Sequence, residues 1–251
     1  MGAALRWPEA MTWSILARDN DGRLGVAIAS RFFAVGALCV HTRRGVGALS
    51  TQALMNPLYG PAGIAMLSDG KAAADVVREL TQADAGQAQR QLHVLPAHGP
   101  GAAHTGASCV DWCGHHVFDD FSVAGNMLTG PQVLAATAEA FAASAGRPLA
   151  ERLLAAMAAG EAAGGDKRGK QAAALRIQGH QDYLELDLRV DDHAEPLFEL
   201  QRLYEVSLQR FQPFVTCLAG RDDPVGELDR SRIEARIEAF QAARLGRPGA
   251  G

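Results

Sequence analysis

The stretch TWSILARDNDGRLGVAIAS, residues 12–30, decides the fold class of this chain. Residues 12–18 and 23–30 have the composition of strands, with apolar and β-branched residues on both faces. Between them, Asp19-Asn20-Asp21-Gly22 is rich in residues that tolerate positive φ. The stretch therefore predicts a β-hairpin close to the start of the chain.

The second strand of this hairpin has two different faces. Successive side chains of a strand point to opposite sides, so the bulky residues share one face and the small residues share the other. The bulky set is Leu24, Val26 and Ile28, and the small set is Gly25, Ala27 and Ala29. The small face allows another element to approach closely.

The remaining chain groups strands and helices in blocks. Strands are predicted around 34–54, helices at 64–67 and 71–80, strands at 89–95, 101–110 and 115–128, helices at 131–145 and 148–163, strands at 172–177 and 183–190, and a last helix capped by Asp191 or Asp192. Strict β-α-β alternation is absent, which favours an α+β fold, with sheet layers and helices outside them.

Composition narrows the function classes. The 251 residues suffice for one large domain, and the formal net charge of -4 gives no reason to expect nucleic acid or an anionic membrane as partner. No apolar run reaches the roughly 18–20 residues that span a bilayer, and the first ten residues make a poor secretory signal. Four cysteines do not make a disulfide framework. We expect a cytoplasmic protein.

Several blocks follow one another at a familiar spacing. They are TWSILARD, ASRFFAVG, STQALMNPLYGPAGI, DWCGHH, VAGNMLTGP, GGDKRGKQAAAL and DLRVDDH. Together, from Met11 to about Tyr204, they closely resemble domain-of-unknown-function family 1028, which is assigned to the N-terminal-nucleophile (Ntn) hydrolase superfamily. The resemblance implies a four-layer αββα sandwich and an Ntn-type hydrolase site, and it supplies no substrate.

The resemblance also divides the chain. In members of this type the block resembling MTWSILARD commonly begins the chain, whereas here ten residues precede Met11. We therefore expect an N-terminal extension over 1–11 that is absent from the mature protein, an Ntn-like domain over 12–215, and a helical tail over 216–251.

Thr12 is the first candidate catalytic residue. A Thr hydroxyl is a weak nucleophile until a base takes its proton, and an α-amine with an ordinary pKa of about 7.7–8.0 is such a base. Translation from Met11 with Met removal, or self-cleavage before Thr12, would place both groups on one residue. The alternative is an ordinary strand Thr. Ser14, two residues on and on the same face, is the backup nucleophile.

Three further residues are candidate catalytic groups. Arg31 follows the second strand and would lower the pKa of the amine or stabilise an oxyanion. Asn126, beside Gly125, would form an oxyanion hole. Asp166 would orient the nucleophile. Each has a plainer alternative: a surface Arg, a turn Asn and a solvated loop Asp.

Loop residues supply candidate substrate contacts. The candidates are Gln52, Asn56 and Tyr59 in one loop, and Lys167 and Arg168, with Lys170, as an anion site in another. No individual role follows from the pattern.

A rival site is the segment CVDWCGHH, residues 109–116. Cys109 and Cys113 with His115 have the close spacing of zinc ligands. His115 and His116 point to opposite faces of a strand, however, and small buried cysteines are commonly inert.

The sequence therefore predicts an Ntn amidohydrolase acting on a small molecule or peptide, without metal or organic cofactor, and a homo-oligomer by analogy with other Ntn folds. Two alternatives stay open: a non-catalytic binding or structural protein on the same fold, and a metal-dependent hydrolase.

Overall fold

The protein is described here from a computed structural model, which covers residues 12–165 and 169–245. Ten strands are found in these ranges: β1 Thr12–Arg18, β2 Leu24–Ser30, β3 Val40–Arg43, β4 Gly47–Ala53, β5 Arg90–Pro96, β6 Ala102–Thr105, β7 Trp112–Val117, β8 Phe121–Leu128, β9 Ala172–Gln178 and β10 Leu186–Val190.

Eight α-helices occur in the same ranges, together with a short 3-10 turn at Gln87–Gln89. They are α1 Val35–Leu38, α2 Tyr59–Ser68, α3 Ala73–Gln82, α4 Gln132–Ala143, α5 Leu149–Ala162, α6 Pro196–Gln209, α7 Phe211–Val215 and α8 Arg230–Leu245. None of the helices in the described ranges is long and apolar enough to cross a membrane.

The predicted hairpin is confirmed. β1 and β2 pair in antiparallel fashion, with Thr12 opposite Ser30 and Arg18 opposite Leu24. Gly22 in the connecting turn has a φ of 81°, which is the left-handed conformation that the turn residues favour. On the small-residue face helix α5 comes so close that a Cβ at Gly25 would lie 2.5 Å from Leu153 Cδ1.

The strands form two antiparallel sheets. The larger sheet has the order β10-β9-β2-β1-β8-β7, and the smaller has the order β3-β4-β5-β6. Residues 115–128, predicted as one β segment, form the end of β7 and all of β8. The chain reverses between them at a tight turn, in which Phe118 N donates to Phe121 O at 2.9 Å.

Helices lie against both sheets. α4, α5 and α6 contact the larger sheet, α2 and α3 contact the smaller one, and strands of the two sheets contact each other. The result is a mixed α+β fold with antiparallel sheets. One apolar cluster joins Leu16 and Val26 of the larger sheet to Ala48 and Leu95 of the smaller one.

The two faces of β1 have different surroundings. Trp13, Ile15 and Ala17 pack in the core under the helices. On the opposite face Leu16 packs between the sheets and Ser14 bonds to residues of the smaller sheet, so Thr12, which shares that face, also points between the sheets. The alternation of β1 thus directs its two hydroxyl side chains inward.

The predicted cap of the helix after β10 is wrong. α6 begins at Pro196, and neither Asp191 nor Asp192 caps it. Proline sets the first helical position because its φ is already helical and it needs no N–H partner there. Asp192 Oδ1 instead accepts a hydrogen bond from Gln171 Nε2 at 3.0 Å.

Helix α8 lies against α6 and α7. Ile237 is its buried residue, and Phe240 packs against the core cluster under the larger sheet. Gln241 Nε2 donates to Leu208 O at 2.8 Å, and Arg244 pairs with Glu205 at 3.0 Å. These contacts attach the C-terminal segment to the rest of the fold.

Candidate functional site

Thr12 begins β1, an interior strand of the larger sheet, with its side chain beside two polar neighbours. Its cross-strand partners are Ser30 on β2 and Asn126 on β8. Thr12 Oγ1 lies 3.0 Å from Ser30 Oγ, which also accepts a hydrogen bond from Phe32 N at 3.1 Å. The sheet therefore brings the predicted nucleophile and the predicted oxyanion residue into direct register.

Asn126 is 1 % exposed and is held by the smaller sheet. Its Nδ2 donates to Gln91 Oε1 at 3.0 Å, and Gln52 Nε2 donates to the same oxygen at 2.7 Å. Gln91 Nε2 lies 2.8 Å from the carbonyl oxygen of Gly125 and 3.0 Å from that of Gly114. The amide of Asn126 thus belongs to a network of side-chain amides between the sheets.

Backbone carbonyls orient this network. Because a carbonyl oxygen only accepts, the Gln91 atom facing Gly114 and Gly125 is the nitrogen, and its oxygen faces Gln52. Gln52 must then present its own nitrogen to Gln91 and its Oε1 to Ser14 Oγ, which donates at 2.7 Å. The oxygen and nitrogen atoms of the Gln91 and Gln52 side chains are therefore assigned from their hydrogen-bond partners alone.

The same logic assigns the imidazole of His93. Ser14 has one proton and gives it to Gln52, so His93 Nε2, 2.8 Å from Ser14 Oγ, is the donor in that contact. Burial lowers the pKa of His93 to about 3, with a smaller contribution from His115, so the ring is neutral near pH 7. Its Nδ1 then accepts from Ser122 Oγ at 2.8 Å. Ser14 consequently has no base beside its hydroxyl proton.

The backbone is strained where the network ends. Ala53, directly after Gln52, has a φ of 64°, and Met127, directly after Asn126, has a φ of 57°. Left-handed conformations of non-glycine residues cost of order 1–3 kcal/mol and concentrate at functional sites. Two such residues follow two amides of one network. This strain marks the end of the sheets where Thr12 lies as a candidate functional site.

Of the other two predicted catalytic residues, one adjoins Ser30 in the chain and one lies outside the described residues. Arg31 is exposed one residue after Ser30, at the end of β2. Asp166, Lys167 and Arg168 lie outside the described residues. Lys170, the third cation of that loop, pairs with Glu161 and with Glu195.

Two of the predicted substrate contacts are engaged by one carboxylate. Asp84 Oδ2 accepts from Asn56 Nδ2 at 3.1 Å and from Tyr59 Oη at 2.9 Å. A bond from Arg90 is the largest reason why the pKa of Asp84 lies well below its usual range. Gln52, in contrast, faces Ser14 and Gln91 in the network.

The cysteine–histidine segment does not converge on one point. Cys113 Sγ contacts Cys109 O, Cys109 Sγ contacts Arg90 O, and His115 Nδ1 lies 2.8 Å from Thr105 Oγ1. Within the two described ranges, no group of three or more His, Cys, Asp or Glu side chains has the arrangement of a metal site.

Four polar residues of this region are missed by the sequence predictions. They are Ser30, Gln91, His93 and Ser122, all fully buried. A signal for two of them exists: Gln91 and His93 alternate with apolar residues in β5, so they share its inward face with Leu95. Their partners on β1 and β8 are too distant in sequence to be predicted.

The chain is similar to known proteins in sequence and in structure. The model of the "Family of unknown function (DUF1028)" matches residues 12–200. The chain belongs to this family. A search of curated proteins finds no match.

Two solved structures are similar to this chain. Protein SPO2555 from Silicibacter pomeroyi, described as a DUF1028 protein, is 30 % identical, with a TM-score of 0.80 over 87 % of this chain and 100 % of that one. Anbu (ancestral beta-subunit) from Yersinia bercovieri is 11 % identical, with a TM-score of 0.38 over 78 % of this chain and 94 % of that one.

Proposed function

We propose that this protein is an Ntn hydrolase with a four-layer αββα sandwich, and that Thr12 cleaves an amide-type bond in a small molecule or peptide. The observation that carries the proposal is the position of Thr12. It begins an interior strand, points between the two sheets, and lies in register with Ser30 and Asn126. An unblocked chain starting there has its amine and its hydroxyl on one rigid residue.

The reaction follows from these groups. Thr12 Oγ1 attacks the substrate carbonyl carbon while the α-amine takes the hydroxyl proton. Asn126, whose amide is oriented by Gln91, and Arg31 stabilise the oxyanion. The C–N bond then breaks, and the leaving nitrogen takes the proton from the ammonium group. Water, deprotonated by the same amine, hydrolyses the ester that remains on Thr12 and restores the hydroxyl.

The hydrogen-bond directions favour Thr12 over Ser14. Ser14 donates its only proton to Gln52 and receives one from His93, so no base is placed to activate it. In this proposal Ser14 joins the sheets, and Ser30 positions the Thr12 hydroxyl at 3.0 Å.

A first experiment measures the N-terminus of the protein made in its native host. The proposal predicts an intact mass for a chain that starts at Thr12. A chain that retains residues 1–11 quantitatively would favour a non-catalytic binding protein on this fold.

A second experiment uses a β-lactone probe, which acylates an activated hydroxyl, on a chain produced with Thr12 as its first residue. We expect one adduct on the wild-type chain and on Ser14→Ala, and none on Thr12→Ala. Circular dichroism of both variants controls for folding. An adduct retained by Thr12→Ala would move the nucleophile elsewhere, and labelling abolished by chelators would favour the metal-dependent alternative.

A further inference from the structure

A concave region lies at the opposite end of β1 from Thr12. It is a cleft of about 1250 Å³, lined by residues that include Arg18, Arg152, Phe118, Phe121 and Phe141. Arg18 is the last residue of the seven-residue strand that Thr12 begins, so the two ends are roughly 20 Å apart. The cleft is thus separate from the site proposed for hydrolysis, and is large enough for a small organic ligand.

Four arginines line this cleft, together with the carboxylates of Asp19, Asp21, Asp119, Asp120 and Glu185. Three of the arginines form ion pairs. Arg18 pairs with Asp120 at 3.1 Å, Arg23 with Glu185 at 3.1 Å, and Arg147 with Glu151 at 3.1 Å. The fourth, Arg152, forms no ion pair with any residue in the described ranges. Its one hydrogen bond there goes from Nη2 to the backbone oxygen of Phe141 at 3.3 Å.

The surroundings of Arg152 disfavour an unpaired cation. Its Nε is buried without a hydrogen-bond partner among the described residues, and burial is the largest cause lowering its pKa. Asp19 and Asp120 oppose that shift from beyond ion-pair distance. Arg152 also lies in the first turn of α5, where the helix dipole favours negative charge. An anion beside this guanidinium would offset these costs.

The wall next to Arg152 is aromatic. Its guanidinium lies 3.9 Å from the ring centroid of Phe141. Phe121 follows at 4.8 Å from Phe141, and Phe118 stacks on Phe121 at 4.3 Å with an interplanar angle of 14°. Phe118, the last ring, is 41 % exposed. The cleft thus joins one guanidinium that has no ion pair among the described residues to a row of three rings, the last of which offers surface for stacking.

We propose that this cleft binds a small carboxylate that carries an aromatic ring. The carboxylate pairs with Arg152, which its cation–π contact with Phe141 holds in place, and the ring packs along the phenylalanine wall. The site is independent of the proposed hydrolysis, because neither Thr12 nor its neighbours line the cleft.

Ligand-observed NMR titration with benzoate tests this proposal on the full chain in about 0.15 M salt, which screens weak surface attraction. We expect saturable binding of benzoate, and binding at least ten-fold weaker for acetate, which lacks the ring, and for benzamide, which lacks the charge. Acetate or benzamide binding as tightly as benzoate would overturn the assigned ligand class.

Two substitutions locate the site. Arg152→Met keeps an apolar stem and removes the charge, so we expect benzoate affinity to fall at least ten-fold. Arg147→Met is the matched control, because that arginine lines the same cleft but already pairs with Glu151, and its affinity should stay within two-fold. Phe118→Ala, at an exposed position, should weaken benzoate binding several-fold without affecting the fold. The proposal would be overturned if the wild-type protein did not bind benzoate, or if Arg152→Met and Phe118→Ala both bound it as tightly as the wild type.

Discussion

His93 Nε2 lies 2.8 Å from Ser14 Oγ, and this bond connects the two sheets with the imidazole as donor. A serine and a histidine at this distance resemble an activated nucleophile and its base. The direction of the bond excludes that role. The backbone oxygens of Gly114 and Gly125 fix the orientation of the Gln91 amide, which fixes that of Gln52, and Gln52 Oε1 takes the only proton of Ser14. The pair therefore holds the sheets together.

This assignment predicts the tautomer of His93. The neutral ring should carry its proton on Nε2, with Nδ1 accepting from Ser122. Long-range nitrogen–proton NMR correlations of the ring distinguish the two tautomers at pH 7. A proton on Nδ1 would reverse the bond to Ser14 and reinstate that residue as a nucleophile with a base.

The buried histidine also predicts acid sensitivity. Its pKa is about 3 in the fold and about 6.5 in the unfolded chain, so the unfolded state binds more protons between these values. Stability is complete above pH 6.5 and falls as the pH decreases toward 3, by about 2 kcal/mol between pH 7 and 5.

Urea denaturation at pH 7 and pH 5 measures this effect. His93→Gln removes the titrating group and should lose most of the pH dependence, whereas His180→Gln, at an exposed position, should keep it. An unchanged pH dependence in His93→Gln would assign the acid sensitivity to other groups.

Backbone strain at Ala53 gives another prediction. Its left-handed φ of 64° costs an alanine about 1–2 kcal/mol, which a glycine avoids at a smaller entropic cost. Ala53→Gly should therefore stabilise the fold by roughly 0.5 kcal/mol. Ala48→Gly, in the same strand but buried and without positive φ, should destabilise it by about 1 kcal/mol or more. Equal effects of the two substitutions in chemical denaturation would contradict a strained Ala53.

The bonds of Asp84 predict a structural effect at Tyr59. Tyr59→Phe removes the hydroxyl that donates to Asp84 at 2.9 Å and should cost about 1 kcal/mol of stability. The matched control is Tyr183→Phe, whose hydroxyl bonds to Ala219 O at an exposed position, with an expected loss below about 0.5 kcal/mol. If Tyr59 also contacts substrate, Tyr59→Phe will slow β-lactone labelling of Thr12; a purely structural role leaves that rate unchanged.

Much of the fold follows from local patterns in the sequence. The turn 19–22 and the two faces of β2 predict the hairpin and the close approach of another element, because strand alternation and turn chemistry act over a few residues. The structure shows that this element is α5. The start of α6 was predicted less well. An acidic cap at 192 and a proline at 196 are two local signals for the start of the helix, and the helix begins at the proline.

The candidate site was only partly predictable. Thr12, Ser14 and Asn126 carry recognisable chemistry in their own segments, and the register of β1 with β8 places Thr12 opposite Asn126. The roles of His93 and Gln91 do not follow from the sequence, because their partners are set by the packing of one sheet on the other. Ser14 and His93 are 79 residues apart, a separation over which no local pattern acts.

The most direct test of the central claim, that Thr12 supplies both nucleophile and base, is the pH dependence of β-lactone labelling in two matched chains. One chain begins at Thr12, and the other retains Met11 before it. We predict that the first reacts with a rate that rises through the pKa of an α-amine, near 7–8, and that the second reacts at least 100-fold more slowly. Equal rates in the two chains would contradict the claim.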